Sequence, residues 1–390
     1  MIKTHKTEIF PNNLQREFLE RNFGVRRFIF NKTIMYLKHK YGDLKTNKSL
    51  ITKKEVMSLR KELFRENYKA IISTASSHLL DTVMEDVMFA LDSLWKKGKD
   101  IQLRKKKFSN TCRFHAKGSN NILVSNGVDK YVRLPSLKSQ IGLMDKVKMA
   151  EPLRWKNAKI LTATIKREAG RYFISLSCEI EDSVKPLNKS KHLGLDWGIK
   201  TYLTGFDGNE AYEADFDNEI LLKLDKRIAK YQRKLNRKVV NSNKFKKVTT
   251  KLQQAYLDFN NYRRDYIYKL VKDISDHFDS VSLEGLGVRF VTKNKGLAHK
   301  AKQKPFYMFK IILVNKFNQL GKKVYSLPKT FASTQICSSC GYQRTKEAGD
   351  KLTLKDREYN CPKCGSVHDR DINAATNIYN FKNLELMVLN

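Results

Sequence analysis

Apolar residues recur along this chain with two periods, and the changes of period divide it. Thr4 to Phe10 alternates, which predicts a short strand ended by Pro11. Beyond it Leu14, Phe18, Val25, Phe28, Ile29 and Met35 step by three and four, predicting helix to about Lys40. After a polar interval a second helical stretch is expected from about Lys53. Its clearest stripe is Leu79/Leu80, Val83, Val87, Leu91 and Leu94/Trp95, and Gly98 stands where a helix terminator belongs.

From about Ser119 the period falls to two. Strands are expected over Asn120 to Ser125, from Tyr131, over Ile160 to Arg167 and over Tyr172 to Cys178, with a hairpin turn at Glu168 to Arg171. A small β-barrel is the simplest closure for such short strands. A polar linker follows Pro186. His192 to Asp196 reads as a strand, and Tyr202 to Phe206 leads into a turn at Asp207-Gly208. Leu221, Leu224, Ile228, Tyr231 and Leu235 are spaced as a heptad seam. Asn241 to Asn243 breaks it, and a second helix is expected to about His277, completing a basic helical hairpin. A strand at Val281 to Glu284, a helix over about 306–321 and a strand from Lys323 complete the pattern.

Charge narrows the partners. The 390 residues hold 76 Lys and Arg against 40 Asp and Glu, a net charge of +36. Such an excess repels itself unless a polyanion neutralises it, and nucleic acid is the abundant one. The length predicts two or three domains. The first residues resemble no secretory signal, and no run of about 18 apolar residues predicts a membrane span.

Two groups of residues carry candidate chemistry. Cys337, Cys340, Cys361 and Cys364 form a C-x2-C…C-x2-C array, the spacing of a tetrahedral Zn²⁺ site. Four thiolates leave no position for a water, so one structural zinc is expected. Cys112 and Cys178 stand apart, which argues against a disulfide framework. The second group is acidic: Asp196 and Glu284 at strand ends, and Asp371 at a helix start. Ile372, Ala375 and Ile378/Tyr379 would form that helix's buried face, with Asn373 and Asn377 on a polar side. Converging, the three carboxylates could hold two Mg²⁺ ions for phosphodiester hydrolysis. Singly, Asp196 reads as a turn former, Glu284 as a solvent-facing residue and Asp371 as an N-cap.

These motifs, Leu195-Asp196-Trp-Gly-Ile-Lys200, Leu283-Glu284-Gly-Leu, the cysteine array and His368-Asp-Arg-Asp371-Ile-Asn-Ala-Ala-Thr-Asn377, stand in the order found in the TnpB family. The chain resembles those transposon-encoded, RNA-guided endonucleases over nearly its whole length. The resemblance implies a multidomain α/β protein with a RuvC-like nuclease domain of RNase H-like fold (187–330 and 366–390) and an inserted zinc ribbon (331–365). It also implies an oligonucleotide-binding-type barrel (1–10 and 119–186) and a helical recognition lobe (11–118). Asp196, Glu284 and Asp371 fall on the family's three RuvC carboxylates. Expected partners are a guide RNA from the transposon end and target double-stranded DNA, with a monomer in the RNA complex. A prokaryotic, cytoplasmic and nucleoid-associated location follows from the same likeness.

The family often has Leu at the position of Trp197, and Gln where Ser77 and His78 stand in the helix that faces the target-adjacent motif. Arg104, Lys105, Lys106 and Lys107, with Arg227, Lys230, Arg233, Lys234, Arg237 and Lys238, are expected at the nucleic-acid backbone. Two rivals remain at this point: a guide-free RuvC-type nuclease of structured DNA, and a zinc-ribbon DNA-binding regulator that does not cut.

Overall fold

Two units emerge from the contacts along the chain, Met1–Asp182 and Ser183–Asn390. The structure is a computed structural model that describes residues 1–75, 79–106, 110–116, 130–133, 146–155, 158–181, 191–198, 200–285, 303–328, 330–353 and 356–381, with only the backbone of residues 65 and 66.

In the first unit, β1 (Ile2–Phe10) buries His5, Thr7 and Ile9 and turns the residues between them outward, the period of a half-covered strand. Pro11 ends it. α1 (Asn13–Tyr41) then starts behind a reciprocal cap: Gln15 N donates to Asn12 Oδ1 and Asn12 N donates to Gln15 Oε1, each at 2.9 Å. The mixed three- and four-residue spacing resolves into one continuous helix. Gly42, at φ +67°, closes it by donating to Lys38 O. α2 (Lys53–Leu59) runs into a π-helical turn, and α3 (Lys69–Ile72) and α4 (Leu79–Lys97) follow. The expected stripe of α4 is buried from Leu79 to Leu94, and Gly98 terminates the helix at φ +63°.

β2 (Thr111–His115), β3 (Tyr131–Arg133), β4 (Lys146–Met149), β5 (Lys159–Glu168) and β6 (Arg171–Glu179) join β1 in an antiparallel sheet of order β2-β5-β6-β1-β4-β3. The turn between β5 and β6 is a two-residue hairpin. Ala169 and Gly170 both take positive φ, and Glu168 faces Arg171. Among the described residues this sheet is open, with β2 and β3 at its edges, where a closed barrel was expected. The strand expected over Asn120 to Ser125 lies outside the described residues. One apolar core runs from helical Phe23, Ile29 and Val83 into Phe114, Ile165 and Ile174 of the sheet.

The second unit is built on β7 (His192–Trp197), β8 (Leu203–Phe206), β9 (Ala211–Ala214), β10 (Ser280–Leu283) and β11 (Lys323–Ser326), in the order β11-β10-β7-β8-β9. The first three form an antiparallel meander, while β10 lies parallel to both β7 and β11. Parallel strands need long crossovers. The first is the helical hairpin of α5 (Asn218–Asn236) and α6 (Asn243–His277), capped by Asp217 and Ser242 respectively. The second contains α7 (Phe306–Gln319). Leu193, Leu195, Val281, Leu283 and Val324 of the sheet share a core with Ile267, Val271 and Ile274 of α6 and Phe309, Leu313 and Phe317 of α7. β12 (Glu358–Asn360) pairs with β13 (Val367–Asp369), and α8 (Arg370–Tyr379) follows directly. The protein is therefore of mixed α/β class. Among the described residues no helix is long and apolar enough to cross a membrane.

Candidate functional site

Strand register sets two of the acids side by side. Leu195 of β7 pairs with Leu283 of β10 in parallel, so the next residues, Asp196 and Glu284, leave the same ends of neighbouring strands about 4.8 Å apart. The third acid arrives on α8, which packs across β7, β8 and β10. Gly194 makes that docking possible. A Cβ there would lie 2.4 Å from Tyr379 N and 2.7 Å from Ala375 O. With the last turn of α8 seated on Gly194, its first turn reaches the end of β7 where Asp196 stands.

Burial makes this an uncomfortable place for negative charge. Asp196 is only 5% exposed, and its pKa is pushed well above the usual carboxylate range by desolvation first, then by the charges of Glu284 and Asp371. Burial also raises Glu284, opposed by the Ser333 hydroxyl, which donates to Glu284 Oε1 at 3.3 Å. Asp371 is held by Arg370, whose Nε and Nη2 both donate to Oδ1, at 3.0 and 2.8 Å. Asp371 does not cap its own helix: that role falls to Asp369, whose Oδ1 accepts from Asp371 N and Ile372 N. Carboxylates placed so that their charges act on one another have the donor chemistry for hard divalent cations.

The cysteines meet in a separate cluster. Their four sulfurs lie within 4.8 Å of one another, with Cys337–Cys364 at 3.8 Å and Cys340–Cys361 at 3.6 Å. Zinc–sulfur bonds of about 2.3 Å in a tetrahedron require sulfurs about 3.8 Å apart, so the donor set fits zinc. Each knuckle closes the same way. Gly341 and Gly365 take positive φ and donate to Cys337 O and Cys361 O, each at 2.9 Å. Hydrogen bonds from the Ser366 hydroxyl and amide lower the Cys364 thiol to about 6, while the neighbouring sulfurs push Cys340 up to about 12.

The ribbon is bonded to the acid-bearing helix by the two residues expected on its polar side. Asn373 and Asn377 are buried, at 1% and 7% exposure. Asn373 Nδ2 donates to Ile336 O at 2.7 Å, and its Oδ1 accepts from Ser338 N inside the first knuckle at 2.9 Å. Asn377 Nδ2 donates to Ser333 O and Ile336 O. Ser333 in turn bonds Glu284, and Arg370 Nη1 donates to Asp356 O at 2.9 Å. The polar face expected of α8 is thus its interface with the ribbon. Buried amides demand such partners. The alternation of Asn373 and Asn377 with apolar residues was the signal, and it admitted either reading.

Of the basic residues singled out, Arg227, Lys230, Arg233, Lys234, Arg237 and Lys238 are exposed along α5 and its end, although Arg227 also pairs with Asp258 at 2.8 Å. Lys105 and Lys106 are exposed as well. Arg104 is engaged within the fold, its guanidinium 3.6 Å from the Phe30 ring centroid and 3.4 Å from Asp86. Burial first, then the charge of Arg26, lowers its pKa to about 10. Ser77, His78 and Lys107 lie outside the described residues.

Three family models match in succession. Residues 1–45 match a helix-turn-helix domain of the OrfB/IS605 group, 175–295 its "Probable transposase" model, and 306–378 the TNB domain of Cas12f1-like proteins. The first match falls on β1 and the single helix α1. A "Putative RNA-guided DNA endonuclease" of Streptomyces pristinaespiralis is 27% identical, over 96% of this chain and 88% of its own length. TnpB-like protein L770 of Acanthamoeba polyphaga mimivirus is 24% identical, over 97% and 72%. Among solved structures, a Cas12f1 chain from a complex with single guide RNA and target DNA shares the fold with a TM-score of 0.53 at 14% identity. That match covers 97% of this chain and 99% of the other.

Proposed function

We propose, for a chain that belongs to the TnpB family, that it is an RNA-guided DNA endonuclease cutting beside a short target-adjacent motif by Mg²⁺-dependent phosphodiester hydrolysis. The observation that carries this reading is the approach of Glu284, just past β10, and Asp371 of α8 to Asp196 of β7, near enough for their charges to act on it. Asp196 and Asp371 would hold the metal ions, and Glu284 would complete the cluster. Two Mg²⁺ ions supply an activated water and stabilise the leaving oxygen. The protein's own part is placement: Arg370 and Ser333 fix the carboxylates, and burial keeps them from spreading apart into solvent.

The five strands, three antiparallel with two added in parallel beside the first, support the RNase H-like fold assigned to 187–330 and 366–390. The ribbon of 331–365 would carry one structural zinc, with no role in the chemistry. The helical lobe (11–118) and the barrel-type domain (1–10 and 119–186) would grip a guide RNA from the transposon end and the target duplex. The names of the relatives and the contents of the Cas12f1 complex support those partners, as does the charge of +36. Base pairing would read the target and protein would read only the adjacent motif. With one such carboxylate cluster among the described residues, a monomer would cut the two strands in turn.

The test is to express the chain with its native flanking DNA and sequence the RNA that co-purifies. One abundant species, with a constant scaffold and a 3′ end reading into neighbouring sequence, is expected. That complex should cut matching DNA with Mg²⁺, and Asp196→Ala should not. Degraded cellular RNA alone would overturn guidance and leave a guide-free nuclease.

A further inference from the structure

The hairpin of α5 and α6 ends in a tip whose chemistry differs from that of its sides. From Lys226 to Leu257 the sequence holds eleven Lys and Arg and no Asp or Glu. At the apex stand Val239 and Val240, 79% and 67% exposed, more than any other large apolar residue described. The turn that presents them is well defined. Lys238 N donates to Leu235 O at 3.0 Å and Ser242 N to Val239 O at 3.2 Å, while Ser242 Oγ accepts from Phe245 N at 3.0 Å. Asn241 takes φ +66° between them, a left-handed conformation that Asn tolerates better than most residues.

Cationic flanks call for a polyanion, and an apolar apex calls for a dry, flat surface. Nucleic acid offers both together only where the face of a base is uncovered, at a duplex end or an opened step, with phosphates close on either side. Proteins that unstack duplexes use apolar side chains in this way, with cations holding the backbone. We propose that the Val239–Val240 apex is a wedge that inserts at a base-pair step, with Arg237, Lys238 and Lys244 holding the adjoining phosphates. An acidic protein partner fits less well, because it would need an apolar socket ringed by carboxylates. The inference requires neither guidance nor cleavage, so it stands or falls apart from the function proposed above.

The full-length protein, in buffer without Mg²⁺, would be titrated into forked DNA and forked RNA duplexes carrying 2-aminopurine at the fork. A rise in fluorescence reports unstacking, and the duplex that shows it identifies the nucleic acid engaged. Val239→Ser with Val240→Ser should abolish the rise and remove any preference for the forked over the fully paired duplex, while leaving the salt dependence and Tm as in the wild type. Arg237→Gln with Lys238→Gln should weaken binding and reduce the slope of log K against log salt by about two. The proposal is overturned if neither duplex responds to the wild type. It is equally overturned if the valine variant still unstacks, or if that variant loses Tm, since the valines would then be structural.

Discussion

Asp196 is held against its own charge. Burial and two neighbouring carboxylates raise its pKa in the folded protein above the unfolded value of 3.8, so the native state binds the proton more tightly than the unfolded chain. Its contribution to stability is therefore fully present below the unfolded pKa and is lost as pH rises through the raised folded value. At neutral pH without added Mg²⁺, Asp196→Asn should raise Tm by on the order of a few degrees, and the gain should vanish in acid. The same variant should lose Mg²⁺-dependent cleavage. Thermal melts across pH test the first claim, and a Tm unchanged at neutral pH would contradict it. At this scale the places of the acids in their elements were legible in the sequence, since Asp196 and Glu284 each end an apolar run and Asp371 opens a periodic one. Their supports were not. Asp369 rather than Asp371 caps α8, and Asn373 and Asn377 face the ribbon, because a one-dimensional pattern shows that a polar residue shares a helix face without showing what covers it.

At the scale of elements, the close docking of α8 on β7 depends on a missing side chain. Gly194→Ala would drive a methyl into the backbone at Ala375 and Tyr379, and backbone cannot yield as a flexible side chain can. α8 must then move off the sheet, taking Asp371 with it. Because a misplacement of about 1 Å at a reacting centre costs about a hundredfold, cleavage should fall at least that far while nucleic-acid binding persists. Wild-type cleavage in this variant would show that the approach is not required. Elements with strong periodicity were read well, including the α5–α6 hairpin and the β5–β6 turn. β2 was missed although Cys112 and Phe114 alternate with outward residues, because five residues carry too little period to stand out beside a charge run. The open edge that the first sheet keeps among the described residues was beyond reach, since closure depends on pairing between distant strands.

For the molecule as a whole, the ribbon acts as a brace. Its knuckle bonds Asn373, its leading segment bonds Asn377, and Ser333 bonds Glu284. Metal analysis should give about one zinc per chain, since the four sulfurs provide one site. Stripping it removes a large part of the free energy that folds such a small unit. Amide exchange in α8 should then accelerate and cleavage should fall, while the exposed cations of α5 still bind nucleic acid. Unchanged exchange in α8 after zinc removal would show that the helix stands without its brace.

The order of elements also has a consequence during synthesis. α8 is the last described helix in the chain, yet it lies over the middle of the second sheet. While the ribosome is still making residues 193 to 369, the face of β7 around Gly194 has no cover, and Asp196 and Glu284 have no third acid. A nascent chain therefore presents its basic hairpin well before its third acid. Under the proposed function, a fragment from translation stalled before residue 370 would carry the basic hairpin without the third acid, and would bind without cutting.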